Sequence, residues 1–298
     1  MSDFHSWNQL SHAEDYLLYS KNIGPNLCID ETSFSCGELY TLLLNRDAHG
    51  KKGSIIAIVK GTKADTVTEI IKKIPIKERY KVREVTLDMS PSMQKIIRSC
   101  FPKATQVVDR FHVQKQVFDA LQELRVAYRW QVIREEEKNI KEAKRKGIEY
   151  KSKELENGDT LRQLLVRSRF LLFKAPNKWG ESQKQRAEIL FNYFPDIKHM
   201  YYHCIRVGSI FSQTKDKNVA RLKFAKWYEE VENQGYPNFS AIISMFENHS
   251  ERILNYFENR STNAAAESFN AKLKAFRASF RGVNDMKFFL YRVAKIYA

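Results

Sequence analysis

The sequence predicts an α/β protein in which a mixed sheet is interrupted by a large all-helical block. Three observations predict it. Short apolar runs rich in Ile, Leu and Val, bounded by turn residues, fill the first quarter of the chain. Strand and helix patterns then alternate up to Val108. From Val113 to about Arg260 the strand signals vanish, and apolar residues recur at helical spacing.

Taken in order, Asn26 to Ile29 is a strand that ends at Asp30-Glu31. Leu39 to Asn45 is a second, closed by the polar turn Asn45 to Gly50, and Ser54 to Val59 is a third, followed by Gly61. Three strands joined by short turns imply an antiparallel meander. Ala64 to Ile74 places Val67, Ile70, Ile71 and Ile74 on one helical face. Lys81 to Leu87 is a strand ending at Asp88. Ser90 then serves as N-cap, with Pro91 in the first turn of a helix striped by Met93, Ile96, Ile97 and Cys100. Gln106 to Val108 is a strand ending at Asp109. The order β-β-β-α-β-α-β matches an RNase H-like fold.

In the helical block, Val117, Leu121, Leu124 and Tyr128 mark a helix. It is expected to continue through Arg134 to Lys153, where alternating charge signs favour a solvated helix. Leu161 to Phe173, Ser182 to Phe194, Val219 to Val231 and Phe239 to Asn255 follow the same period. Asn263 to Ala298 is helical again, with a break at Arg281-Gly282. The expected organisation is a lead-in (1–25), the first part of an RNase H-like catalytic core (26–112), an all-helical insertion (113–260), and a C-terminal helical part of the core carrying Glu267 (261–298).

Lys and Arg number 50 against 35 Asp and Glu, a formal charge of +15, which suggests a polyanionic partner such as nucleic acid. The 43% hydrophobic content is ample for a core and excludes disorder of the whole chain. No apolar run approaches the ~20 residues of a membrane span, and the first ten residues lack the basic start and apolar core of a signal peptide. These features predict a cytoplasmic, nucleoid-associated protein with no membrane partner. Cys28, Cys36, Cys100 and Cys204 are too few for a disulfide scaffold and form no Cys-x-x-Cys pair. Cys28 and Cys36 read as ordinary buried thiols.

Three acids, Asp30, Asp88 and Asp109, occupy strand ends, where α/β sheets place their functional crevice. A fourth, Glu267, shares a helical face with Asn263, Asn270 and Lys274, opposite Ala265, Phe269, Leu273 and Phe276. Mg²⁺ takes oxygen ligands and keeps several waters, so one or two carboxylates per ion suffice. Two ions about 3.5–4 Å apart can activate an attacking oxygen and stabilise a leaving one. Asp30 would bridge a two-metal site of Mg²⁺ or Mn²⁺, with Asp88 and Glu267 completing one ion each.

Four segments resemble the DDE transposases of the bacterial ISL3 insertion-sequence group, which share the layout of Mutator-like enzymes. They are Ile29-Asp30-Glu31-Thr32-Ser33; Val85-Thr86-Leu87-Asp88-Met89-Ser90; Val107-Val108-Asp109-Arg110-Phe111-His112-Val113; and Thr262-Asn263-Ala264-Ala265-Ala266-Glu267-Ser268-Phe269-Asn270-Ala271-Lys272-Leu273-Lys274. The resemblance implies metal-dependent cleavage at the ends of a mobile element and strand transfer into target DNA. It also implies Asp30, Asp88 and Glu267 as the metal-binding catalytic triad. Asp109 and His112 match the family's Asp-x2-His motif and, with Asn263 and Asn270, are auxiliary active-site candidates. A rival assignment makes Asp109 the second triad acid; Asp88 is preferred because the RNase H-like order places that acid after the fourth strand. Relatives carry a zinc module and a helix-turn-helix ahead of the first Asp, whereas the stretch before Asn26 has no cysteine. Those modules are therefore expected on a separate end-recognition protein, or the copy is truncated. The expected partners are double-stranded DNA, as element ends and target, and further copies of the chain on that DNA. Two alternatives share the fold: a structure-selective nuclease without strand transfer, and an inactive or domesticated DNA-binding derivative. The intact acids argue against the latter.

Arg110, Lys272, Lys274, Arg277 and Arg281 are the candidate phosphate contacts. Phe276, Phe280, Phe288 and Phe289 read as core, as do Trp130, Trp179 and Trp227 within the helical block. Phosphate neutralisation gives affinity without sequence information. The chain should therefore bind duplex DNA with steep salt dependence and little preference for element ends. Competition between end-containing and scrambled duplexes near physiological salt checks this; about thousandfold discrimination, usual for specific binders, would contradict it.

Overall fold

Leu27, Ile29, Leu43, Ile56, Val85 and Leu87 turn to one face of a sheet, and Cys28, Leu42, Leu44, Ile55 and Ile58 turn to the other. Alternation with both faces apolar, interrupted between Ile55 and Ala57 by a register shift opposite Leu43 and Leu44, belongs to strands covered on both sides. The structure is a computed structural model and describes residues 2–34, 38–280 and 285–298. Cys36, Arg281 and the expected break at Arg281-Gly282 lie outside the described residues.

The strands are β1 (Tyr16–Leu18), β2 (Asn26–Ser33), β3 (Leu39–Asn45), β4 (Ile55–Lys60), β5 (Glu84–Leu87) and β6 (Thr105–Val108), in the order β1-β4-β3-β2-β5-β6. Pairing is antiparallel from β1 to β2 and parallel from β2 through β5 to β6. The helices are α1 (Ser2–His5), α2 (Ala64–Lys72), α3 (Ile76–Arg79), α4 (Pro91–Cys100), α5 (Arg110–Arg145), α6 (Leu161–Arg167), α7 (Glu181–Tyr193), α8 (Pro195–Gln213), α9 (Lys217–Gln234), α10 (Ser240–Leu254), α11 (Tyr256–Asn259), α12 (Ala264–Ser279) and α13 (Met286–Tyr297). Among the described residues no helix is long and apolar enough to cross a membrane.

The chain divides into two compact units, Met1–His112 with His249–Ala298, and Val113–Asn248. In the first, α2 and α4 cover the Leu27 face through Val67, Ile70, Ile71, Met93, Ile96 and Ile97. On the Cys28 face, α12 and α13 pack Ala266, Phe269, Leu273, Phe289, Leu290 and Val293. The second unit is helical around buried Leu164, Leu190, Met200, Val207, Phe211 and Trp227. Its buried Asp159 is answered by Arg167 and by Arg186, whose Nε lies 2.9 Å away.

Several elements depart from expectation. Strand β1 was not foreseen; three residues are too few to display an alternation. Strand β2 runs to Ser33, so Asp30 lies within it and not beyond its end. Strand β5 begins at Glu84, because the preceding turn of α3 takes up the chain. Helix α5 is continuous for 36 residues but stops at Arg145. Gly147 there takes φ +68°, a left-handed geometry favourable to glycine, and the Ile148 N–H returns to the Ala143 carbonyl at 2.9 Å. The segment expected as one helix from Leu161 breaks after Arg167 and resumes as a 3-10 turn at Leu171–Phe173. Helix α8, opened by Pro195, was not singled out. Trp227 is fully buried, Trp179 is half-buried with its ring 5.4 Å from that of Tyr201, and Trp130 is 52% exposed and no core anchor. Cys28, Cys100 and Cys204 are buried free thiols.

Phe269 is 1% exposed and fastens α12 to the sheet, so Phe269→Ala should cost ~3–5 kcal/mol in urea unfolding. Leu222→Ala, at a side chain 72% exposed, should change stability by less than about 0.5 kcal/mol.

Candidate active site

Parallel pairing sets Cys28 opposite Thr86, Thr86 opposite Val107, and Leu87 opposite Val108. Continued by two residues on β2 and β5, and by one on β6, this register brings Asp30, Asp88 and Asp109 level on three neighbouring strands. By alternation they share the face of Cys28, which α12 covers. Strand β2 outruns β5 past Cys28, so Asp30 pairs only with Leu42 of β3 and its other edge is open. That opening is the crevice.

Helix α12 is fixed over the crevice by two asparagines. Asn263, fully buried just ahead of the helix, accepts from the Thr86 hydroxyl at 3.1 Å and donates to the Ile29 carbonyl at 3.4 Å. It thereby ties the helix start to β2 and β5. Asn270 donates to Asp30 Oδ2 at 2.7 Å and to the Glu31 carbonyl at 3.5 Å. Glu267, exposed, lies between them in the first turn. The four polar residues read as one face thus divide: Asn263 and Asn270 are buried, whereas Glu267 and Lys274 reach solvent. On the apolar side Phe269 and Leu273 are buried, and Ala266, not Ala265, completes the stripe.

The sheet acids are held by backbone amides. Asp30 Oδ1 accepts from the Glu31 N–H at 2.9 Å, and Asp88 Oδ1 from the Ser90 N–H at 2.7 Å. Ser90 stands at the N-cap position of α4, yet its own side chain makes no capping bond. Asp109 is 0% exposed; its Oδ1 lies 3.4 Å from the Phe111 N–H, and its Oδ2 has no hydrogen-bond partner. Asp109 immediately precedes α5 and His112 lies in its first turn. Ligand atoms of Asp109, His112 and Glu267 all fall within 4.8 Å of one another, the one such group of three among the described residues.

None of the four acids forms an ion pair with Lys or Arg among the described residues. Burial pushes the Asp30 carboxyl above the usual carboxylate range, and the charges of Asp88 and Glu267 add to this against the opposing Glu31 N–H and His112. Burial likewise raises Asp109, opposed by the Phe111 backbone N–H, by His112 and by the Asn263 backbone N–H, and reinforced by Glu267. Glu31, raised by burial and then by Asp88 and Asp30, extends the acidic patch. A hard, anionic donor set with one orphaned buried oxygen fits a divalent cation.

The candidate phosphate contacts differ in placement. Lys274 is exposed, and Lys272 donates to the Gly50 carbonyl at 3.3 Å. Arg277 lies 5.1 Å over the Phe289 ring. Arg110 donates to the Tyr256 hydroxyl at 3.0 Å and packs on the Phe111 ring, so its guanidinium is engaged within the protein. Sequence reasoning missed Thr86, whose signal was a hydroxyl residue between Val85 and Leu87 in an otherwise apolar strand.

A carboxyl whose folded pKa lies above its unfolded value destabilises the fold as pH rises through that interval. The ion-free protein should therefore lose stability as pH rises above the ordinary carboxylate range, through Asp30 and Asp109. Asp109→Asn should relieve part of this and raise the ion-free melting temperature at pH 7. A lower melting temperature would identify Asp109 as a structural acceptor.

A family model described as transposase, for the ISL3 group of DDE enzymes, matches residues 27–293, which include all four acids. No curated protein and no solved structure matches the chain. With nearly its whole length matched, and with the Asp30, Asp88, Asp109 and Glu267 segments inside the match, the chain belongs to the ISL3 family of DDE transposases.

Proposed function

We propose that this transposase cleaves DNA at the ends of a mobile element and joins the freed ends to target DNA, using Asp30, Asp88 and Glu267 as its metal-binding triad. The observation that carries the proposal is that Asp30 within β2, Asp88 just past β5 and Asp109 just past β6 lie level without Lys or Arg partners, while Glu267 from α12 comes within 4.8 Å of Asp109. The strand order supports an RNase H-like core, built from residues 26–112 and 261–298 and interrupted by the helical insertion of residues 113–260.

Divalent ions, Mg²⁺ or Mn²⁺ at two positions, would activate the attacking oxygen and stabilise the leaving one. The chain's residues prepare that chemistry. Asn270 and the Glu31 amide fix both oxygens of Asp30. Asn263 anchors the helix that presents Glu267. Asp109 and His112 line the same crevice as auxiliary groups. Lys274, exposed on the same helix, neutralises phosphate near the scissile bond. Water attack releases a 3′-hydroxyl, and that hydroxyl then attacks the target phosphodiester, so no covalent enzyme intermediate is needed. Double-stranded DNA is the substrate, bound by more than one copy of the chain.

Asp30→Asn or Glu267→Gln should reduce nicking of an element-end duplex below detection while DNA binding is kept or tightened, because a repulsive charge near phosphate is removed. Gel-shift and nicking assays on the same preparations check this. Equal loss of both would assign these acids a structural role. Nicking without joining to a target plasmid would favour a nuclease.

A further inference from the structure

We propose that His112 is itself a metal ligand, forming with Asp109 and Glu267 a mixed imidazole–carboxylate site that selects Mn²⁺ over Mg²⁺. The inference rests on the crevice being the metal centre proposed above, and it changes which residues hold the first ion.

Two independent observations carry it. The first is convergence: a nitrogen of His112 and carboxylate oxygens of Asp109 and Glu267 lie within 4.8 Å of one another. Sequence spacing explains it, since His112 is three residues beyond Asp109, one turn into α5, and so returns to the same side. Glu267 arrives from α12, whose start is pinned by Asn263. The second is the orphaned oxygen. Asp109 Oδ2 is buried in a residue 0% exposed and has no hydrogen-bond partner. A buried acceptor left unsatisfied costs ~1–3 kcal/mol, and more when charged. A cation at the convergence point would supply the missing partner.

The donor set decides the ion. Mg²⁺ strongly prefers oxygen ligands in a near-ideal octahedron. An imidazole nitrogen suits transition metals, and of the two ions expected at the crevice Mn²⁺ is the transition metal. Asp109 then becomes the companion of Glu267 at the first ion. Asp30 and Asp88, coupled through their charges, are left for a second. A histidine that only contacted DNA or packed against the helix would leave metal preference unchanged.

The test uses the full chain without DNA, titrated with Mn²⁺ and examined by pulsed electron paramagnetic resonance. The expected result is one tightly bound Mn²⁺ whose spectrum shows nitrogen modulation from a coordinated imidazole. His112→Gln should abolish that modulation and weaken Mn²⁺ binding at least tenfold, with Mg²⁺ binding changed less than threefold. Bound Mn²⁺ without nitrogen modulation, or modulation that persists in His112→Gln, overturns the proposal. The same holds if Mn²⁺ and Mg²⁺ affinities fall equally. The wild-type spectrum decides the matter even should the variant fold poorly. Nicking by the wild-type chain in Mg²⁺ is scored separately. Nicking without nitrogen modulation overturns the His112 assignment alone, whereas modulation without nicking overturns the catalytic reading alone.

Discussion

Carboxylates brought together in a half-dry crevice repel one another and lose hydration, and the rest of the first unit is arranged to hold them there nonetheless. Contrast along a single strand makes this plain. At the start of β5, buried Glu84 is bonded by Arg46 at 2.5 Å and by Asn259 at 2.9 Å. Those hydrogen bonds outweigh burial and keep its carboxyl below the usual range. Just past the other end of β5, Asp88 and its neighbours Asp30 and Asp109 have no such cation, and burial drives Asp30 and Asp109 the opposite way. The fold thus pairs Glu84 with Arg46 and leaves the crevice acids without a Lys or Arg partner among the described residues.

What opposes the repulsion is apolar and neutral. The two faces of the sheet bury Leu, Ile, Val and Phe against α2 and α4 on one side and α12 and α13 on the other. Burial of this kind, at roughly 25 cal/mol per Å², is the term able to sustain a local electrostatic cost. Directional control comes from amides, which carry no net charge. Asn263 and Asn270, two helical turns apart, dock α12 on β2 and β5 with Glu267 between them. Replacing either amide by a carboxylate would add repulsion; replacing it by a lysine would neutralise the crevice and compete with a metal ion.

Much of this was legible in the sequence because it is local or periodic. The strand positions of Leu39 to Asn45 and Ser54 to Val59, the helix stripe Met93, Ile96, Ile97 and Cys100, and the strand-end acids Asp88 and Asp109 follow from alternation and turn residues. Tyr16–Leu18 was illegible because three residues carry no period and join the sheet only through β4. Asp30 was misplaced by one feature, the extension of β2 through polar Asp30, Glu31, Thr32 and Ser33, which β3 stabilises by long-range pairing. Helical spacing grouped Asn263, Glu267, Asn270 and Lys274 correctly by angle, but angle alone does not tell which of them the sheet covers. The Asp109–His112–Glu267 convergence likewise needs three dimensions, for 155 positions separate His112 from Glu267 in the chain.

The central claim is that the unpaired acids within β2 and just past β5 and β6 exist to bind divalent cations. Anomalous scattering at the manganese edge from crystals of the full chain grown with Mn²⁺ tests it most directly. The account predicts at least one peak at coordination distance, roughly 2.0–2.3 Å, from carboxylate oxygens among Asp30, Asp88, Asp109 and Glu267. Saturating Mn²⁺ with no peak among these four acids would contradict it.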